Sequence, residues 1–204
     1  MNEVDQSRQQ ALSMLLKRHP KVAWPTVGVA LFTAGGWFLC VYGGFMGWFP
    51  VAGAAVCASL LAYWAFTPVH DATHRSLSKH SVLNDGLGWI CGIPLLAPFS
   101  AFRYMHLTHH KYTNDPERDP DYWSGGGRTW TLLFRWLTQD LHYYWLAIRV
   151  SRQQGLSWVL QTWGGFLVIN TAAVTLIVQG YVYETIVLIL IRSEERRVGK
   201  ECRS

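Results

Sequence analysis

Two short stretches hold the residues best suited to chemistry, "HDATH" at 70–74 and "HLTHH" at 106–110. On a helix, His70 and His74 stand at i and i+4, one turn apart on one face, and His106 is related to His109 and His110 by i+3 and i+4. Each cluster can therefore present several imidazoles to one point. Neutral imidazole is a good ligand for iron, copper, nickel and zinc. Soft thiolate sites are not indicated: Cys40, Cys57 and Cys91 are isolated in apolar sequence, Cys202 lies in a charged tail, and no CxxC spacing occurs. Five imidazoles exceed the three protein ligands that a catalytic zinc takes. Zinc protease chemistry needs Glu after the first histidine of H-E-x-x-H, and here that residue is Asp71, one methylene short. The Glu-x-x-His pairs of ferritin-type iron sites do not occur. An all-histidine, two-metal site that activates oxygen fits these residue types better than either. A zinc hydrolase and a membrane metal-binding or transport protein remain as rivals, although a transporter should place its ionisable ligands within the spans, near the midplane.

His142, in "DLHYYW", is a further candidate ligand, with a plain surface or interface role as the alternative. His19 and His80 lack partners in the sequence and read as solvated. Asp71 neighbours a candidate ligand and could orient an imidazole N–H, as metal sites usually require. Asp115, Asp119 and Asp121 could do likewise, though turn formation explains them equally well.

The elements that must position these histidines follow from the distribution of charge. Val22 to Val69 is a run without Asp, Glu, Lys or Arg, and 153–191 contains only Glu184, whereas nine Lys or Arg fall within 70–152. A soluble chain would have to leave both apolar blocks without a polar face, so the pattern is that of membrane spans separated by an aqueous segment. Trp24 to Met46 is long enough to cross a hydrocarbon core of about 30 Å as a helix. "GWFP" at 47–50 makes a turn with interfacial aromatics, and Val51 to about Val69 returns across. A third span is expected from about Trp158 to Val178. Lys and Arg flank the first hairpin on one side only, which predicts a cytoplasmic N-terminus and cytoplasmic histidine clusters. The formal charge of +5 fits a lipid-facing cytoplasmic surface, and no segment offers readable nucleic-acid-binding chemistry. Residues 1–21 are too long and polar for the n-region of a signal peptide.

Between the spans, 87–102 is apolar but broken by Pro94 and Pro98, and is expected to be re-entrant or surface-lying. Residues 114–127 carry turn and loop chemistry. Residues 129–152 read as one amphipathic basic helix in the headgroup layer, with Trp130, Leu133, Leu137, Leu141, Tyr144 and Ile148 on one side and Arg135, Gln139, His142, Arg149 and Arg152 toward the other. Tyr181 to Ile191 begins a fourth span of about 16 Å at 1.5 Å per residue, roughly half of what crossing requires. The sequence then switches to "RSEERRVGKECRS", and 192–204 is expected to be a non-native tail.

"HDATHRSLSKHSVLNDGLG" and "FRYMHLTHHKYTNDPERDPDYW" resemble the first and second histidine boxes of the membrane fatty acid desaturase and hydroxylase superfamily, and the likeness covers about 50–182. "DPDYWSGGG" also resembles the carotenoid hydroxylase branch. The resemblance implies an all-α, polytopic membrane protein with cytosolic histidine-box helices. It implies two iron ions held by His70, His74, His106, His109 and His110, a lipid substrate (a fatty acyl chain or a carotenoid), and electrons from an external donor such as a ferredoxin or cytochrome. The reaction it implies is oxygen-dependent desaturation of the chain, with hydroxylation as the alternative. Family members carry a third box beyond another membrane hairpin, and no histidine follows His142 here. The expectation is therefore a C-terminally truncated domain over 1–191 that is inactive alone.

Overall fold

In the computed structural model the described residues are 22–126 and 128–190, and their regular elements are helices. Three are long and apolar enough to cross a membrane: α1 (Trp24–Phe45), α2 (Val51–Thr73) and α8 (Leu156–Val178). Between α2 and α8 lie α3 (Ser81–Gly92), α4 (Phe99–Tyr112), the short α5 (Tyr122–Gly125), a 3-10 turn at Thr129–Thr131, α6 (Leu132–Leu137) and α7 (Gln139–Ser151). After α8 come α9 (Val182–Thr185) and a π-helical turn, Ile186–Leu190. The protein is an all-α, polytopic membrane protein. The expected tail, 192–204, and the polar segment 1–21 lie outside the described residues.

The helices α1 and α2 form an antiparallel hairpin joined by the 46–50 turn, where Gly47 takes the left-handed backbone (φ +70°) that the reversal needs. Small residues at the contact, Ala30 and Ala34 with Ala58, Ala62 and Ala65, are buried and let the two backbones approach. The outward faces expose large apolar side chains such as Leu31, Phe32, Val56 and Leu60, as lipid contact requires. The second span continues past Val69 to Thr73, so His70 lies within the helix and His74 is its C-cap residue. Arg75, in the left-handed region (φ 56°), ends α2, and Ser76 N donates to the Asp71 carbonyl at 2.9 Å.

The following loop is tied down by Asn84, which is buried. Its Nδ2 donates to the carbonyls of Ser78 (2.6 Å) and His80 (3.0 Å), and its Oδ1 accepts from Ser78 N (3.1 Å). Ala23 N donates to the Leu77 carbonyl at 2.8 Å, and Val22 and Ser78 form an isolated bridge, which brings the start of α1 beside the end of α2. The 87–102 stretch resolves into the end of α3, a turn at 93–98 and the start of α4, with Leu87, Cys91, Leu95 and Phe99 buried in a core shared with α1 and α2. At 12 residues α3 spans about 18 Å, too short to cross.

The expected single helix over 129–152 is interrupted at Thr138 (φ −106°, ψ 8°). The indole Nε1 of Trp123 donates to the Arg135 carbonyl at 3.0 Å, which competes with continuation of the helical ladder there. Arg135 also departs from its expected place on a solvated face. It is buried, and its guanidinium donates to the carbonyls of Trp123 (2.9 Å) and Arg128 (3.3 Å) and its Nε to Thr131 Oγ1 (3.0 Å). Leu133, Leu137, Leu141 and Ile148 are exposed, as a helix lying against lipid would have them.

Returning toward the hairpin, α8 approaches α4 closely at Gly165, where an added Cβ would stand 2.9 Å from Pro98 Cβ. Ser100 Oγ and Thr162 Oγ1 share a buried hydrogen bond of 2.8 Å, and Trp158 Nε1 donates to the Ser100 carbonyl at 3.2 Å. The 181–190 segment is not one α-helix. After α9 the π turn seats Leu188, fully buried, against Gly44 near the far end of the hairpin. Phe45 meets Tyr181 there edge-on at 5.5 Å. That far end, 46–50 and 179–182, contains no Lys or Arg.

Candidate metal centre

Where α2 ends, its last turn faces the C-terminal half of α4, and four imidazoles meet. One ring nitrogen from each of His70, His74, His106 and His110 lies within 4.8 Å of the others. His106 Nε2 is 3.2 Å from His74 Nε2 and 3.0 Å from His110 Nε2. Two nitrogens each about 2.1 Å from one ion, at angles of 90–109°, stand about 3.0–3.4 Å apart and never more than about 4.2 Å, so the His74–His106 and His106–His110 spacings are metal-sized and the widest pair of the four must draw closer on binding an ion. A neutral imidazole has one N–H and one lone pair, and three nitrogens converging at such distances cannot all be satisfied by sharing protons pairwise. A cation at their centre satisfies them together. The donor set therefore fits a borderline transition metal such as iron.

The surroundings favour the neutral form of His74, His106 and His110. Burial, then the neighbouring His70, His110, His74 and His109, push His106 down to about 3. His74 is lowered by burial and then by His70 and His110, against an opposing pull from Asp71. His110 is lowered by burial and then by His109 and His70. A ligand that is already deprotonated loses no free energy to proton release when a metal binds.

Two phenylalanines form the apolar floor of the cluster. The Phe102 ring stacks on His106 at 5.6 Å, Phe66 lies 6.0 Å from His70, and the two phenyl rings meet edge-on at 5.8 Å. Each stands four residues before the first histidine of its cluster, "FTPVH" and "FRYMH". That shared F-x-x-x-H spacing is readable in the sequence.

Of the six candidate ligands the structure brings four together. His109, expected on the same face as His106 and His110, is turned to a different set of partners. Its Nδ1 lies 2.8 Å from Asp119 Oδ1 and 3.7 Å from Asp121 Oδ2. Asp119 is buried and accepts two further hydrogen bonds of 2.8 Å, from Asn114 N at Oδ2 and from Asp121 N at Oδ1. With all its oxygens accepting, the carboxylate holds the proton of His109 on Nδ1 and leaves the Nε2 lone pair free. Tyr143 donates to Asp121 Oδ1 at 2.6 Å, and burial is the largest influence on Asp121, raising its carboxyl above the ordinary value. Asp71 Oδ1 stands 3.6 Å from His70 Nδ1, and its other oxygen accepts from Thr26 Oγ1 at 3.3 Å. Asp115 instead caps its own turn, accepting from the backbone N–H of Glu117 and Arg118.

His142 lies apart from the four-histidine group. Its ring is stacked 4.8 Å from Trp123, with Trp145 at 5.8 Å. Burial lowers its pKa, opposed by a hydrogen bond to the Pro120 backbone.

Beside the cluster runs a cavity of about 280 Å³, lined by His106 and His109 and continued by apolar side chains that include Phe66, Phe102, Met105 and Phe166. Asp121, Ser124, Gln139 and Asp140 also line it, and Asp121 adjoins the imidazole wall, its Oδ2 3.7 Å from His109 Nδ1. A largely apolar cavity with imidazoles in its wall suits an apolar ligand.

Comparison with known proteins agrees with this geometry. The family model described as "Fatty acid desaturase" matches residues 46–191. The sn-1 oleoyl-lipid 12-desaturase of Arthrospira platensis is 28% identical over 182 residues, covering 74% of this chain and 47% of that protein. The corresponding enzyme of Anabaena variabilis is 30% identical over 122 residues, covering 55% of this chain and 34% of its own. The sn-1 acyl-lipid omega-3 desaturase (ferredoxin) of Nostoc sp. (strain 36) is 39% identical over 62 residues, 30% of this chain and 17% of that one. The chain thus spans less than half the length of these curated relatives. No solved structure matches.

Proposed function

Since the chain belongs to the fatty acid desaturase family, we propose that it is the histidine-bearing part of an enzyme that desaturates lipid acyl chains at a di-iron centre. The observation that carries this reading is the convergence of His70, His74, His106 and His110 from two helices at one end of a membrane hairpin, next to an apolar cavity. In this reading the four imidazoles hold one iron, and His109 Nε2 contributes to a second. That second ion needs ligands beyond the four-histidine group, and no histidine follows His142 in this sequence. We therefore propose that the chain alone does not turn over substrate. His142, stacked on Trp123, serves the site through packing.

Bound iron, with molecular oxygen and electrons from an external donor, supplies the oxidising power to remove hydrogen from an unactivated C–H bond. The protein's residues do the rest. Phe66 and Phe102 exclude water from the imidazoles, which keeps the oxidant from being quenched. Asp119 keeps the His109 proton on Nδ1. The cavity wall at His106 and His109 sets which carbon of the chain lies nearest the metals, and hence the position of attack. The name of the Nostoc relative favours a ferredoxin as donor.

The proposed orientation is supported by charge. Arg75, Lys79, Arg103, Lys111, Arg118 and Arg149 belong to the histidine end, against none at the far end, which supports a cytoplasmic metal centre.

The test is product analysis. Membranes holding a full-length relative, and separately this chain, are supplied with iron, oxygen and reduced ferredoxin, and their lipids are analysed by mass. Loss of two hydrogens with the relative and no product with this chain is expected. An added oxygen would make the enzyme a hydroxylase, and turnover by this chain alone would contradict the proposed need for further ligands.

A further inference from the structure

A leucine closes the turn after α3 where the backbone calls for glycine. The amide of Ala97 donates to the Gly92 carbonyl at 3.1 Å, and the amide of Leu96 donates to the Ile93 carbonyl at 2.9 Å. This pair of bonds, the shorter loop nested in the longer, ends a helical turn through one left-handed residue, which is usually Gly. Here that residue is Leu96, at φ 50°, where a Cβ crowds the following carbonyl and the left-handed form is disfavoured. Such local strain persists where the surroundings impose it, and it clusters at functional sites. The protein's own core is not what holds Leu96 there. Leu95, one residue earlier, is buried in the core shared with α1 and α2, and Ala97, one residue later, packs against that core. Leu96 belongs to none of the three hydrophobic clusters among the described residues, and it is half-buried. It lines the cavity instead, together with Phe102, His106 and His109. A leucine so placed completes its burial when the cavity is filled by an apolar group.

From this we infer that Leu96 is a specificity-determining residue, whose side chain bounds the space open to the substrate's alkyl chain and so sets how large a chain the cavity accepts. The inference rests on the acyl-lipid reading above and deepens it. Each side-chain carbon removed at position 96 leaves room for about one more methylene of the ligand. Leu96→Gly therefore shifts the preference toward chains about four carbons longer, and Leu96→Phe, which takes space from the cavity, shifts it toward shorter ones. Stability separates this role from packing. Glycine is at ease in the left-handed position, so Leu96→Gly relieves the turn and gives up no core contact. A leucine held for packing would instead leave a void and a less stable protein.

The test uses the purified chain in detergent micelles, with fatty acid methyl esters of 14, 18 and 22 carbons that carry a mid-chain diazirine, added one at a time at equal mole fraction. After illumination, cross-links to Ala101, Met105 and Phe166, which line the cavity, are counted by mass spectrometry. Leu96→Gly is expected to raise the ratio of 22-carbon to 14-carbon labelling by at least about fourfold, which is what burial of one further methylene supplies, and Leu96→Phe is expected to lower it. The melting temperature of ligand-free Leu96→Gly is expected to equal or exceed that of wild type. A labelling ratio unchanged in Leu96→Gly, or a Leu96→Gly protein that melts well below wild type, overturns the inference. Labelling of wild type separates the causes: a cavity that is labelled with a ratio indifferent to position 96 sinks the role of Leu96 alone, and a cavity that none of the probes labels sinks the reading of it as an alkyl-chain site as well.

Discussion

Removing the Asp119 carboxylate isolates the part of the site that holds His109. Asp119 accepts three hydrogen bonds of 2.8 Å, from His109 Nδ1, Asp121 N and Asn114 N. Replacement by Ala deletes all three acceptors. The charge-assisted bond to the imidazole accounts for about 1.5–3 kcal/mol, and each backbone N–H adds about 1 kcal/mol, at the low end because Asn114 is exposed and reaches water. The sum is a loss of roughly 4 kcal/mol in unfolding free energy. Asp119→Asn behaves differently. An amide has one acceptor oxygen, and the cheaper orientation keeps it at the Oδ1 position, where His109 and Asp121 N are still served, while the NH2 group opposes the Asn114 N–H donor to donor and the exposed Asn114 must swing out to solvent. The cost falls to roughly 2 kcal/mol, and the His109 proton stays on Nδ1. Denaturant titration in detergent micelles measures the stabilities, and the nitrogen-15 shifts of His109 report its tautomer. If His109 ligates metal, Asp119→Ala also weakens iron binding by about 10–100-fold, with Asp119→Asn between it and wild type. Equal stability of the two variants, or a His109 tautomer that does not respond to Asp119→Ala, would refute the reasoning.

Three further outcomes are expected. His142 has a pKa lowered mainly by burial, so the folded state favours its neutral form. Its contribution is complete above the unfolded value of about 6.5 and is lost as pH falls below it; His142→Phe keeps the ring on Trp123 and should flatten the fall in melting temperature between about pH 8 and 5. Gly165→Ala places a Cβ 2.9 Å from Pro98 Cβ, and the overpacking should cost about 1–3 kcal/mol in thermal unfolding, whereas Gly164→Ala meets nothing within 4 Å and should be near neutral. Single cysteines at Lys79 and at Trp48, introduced into a chain with its own cysteines removed, should differ in labelling of intact cells. A membrane-impermeant maleimide is expected to reach position 48 and not 79, and the reverse would place the histidines outside the cytoplasm.

The spans and the pairing of histidine clusters were legible because both rest on local rules. A charge-free run longer than the hydrocarbon thickness admits few alternatives to a spanning helix, and i, i+4 spacing sets His70 over His74 and His106 over His110 without knowledge of tertiary contacts. The extension of α2 to Thr73 was less visible, since its end is set by the left-handed Arg75 and the bond from Ser76 N, and neither residue type announces a cap. An i+3 spacing sets His109 about 60° around the helix from His106, and its turn to Asp119, ten residues on, is a tertiary contact that the spacing does not encode. The break at Thr138 and the burial of Arg135 both depend on Trp123 reaching across a loop, a contact no periodicity encodes. Gln139 read as one more polar residue on an amphipathic helix. It is buried instead, through tertiary packing that no periodicity encodes.

The central claim is that His70, His74, His106 and His110 share one metal ion, and it is tested most directly by anaerobic titration of the detergent-purified chain with ferrous iron, followed by X-ray absorption. One tightly held equivalent with imidazole nitrogens at about 2.1 Å, greatly weakened in a His74→Ala, His106→Ala double variant that still folds, is the predicted result. No stoichiometric iron in wild type, or the same affinity and nitrogen shell in the double variant, would contradict it.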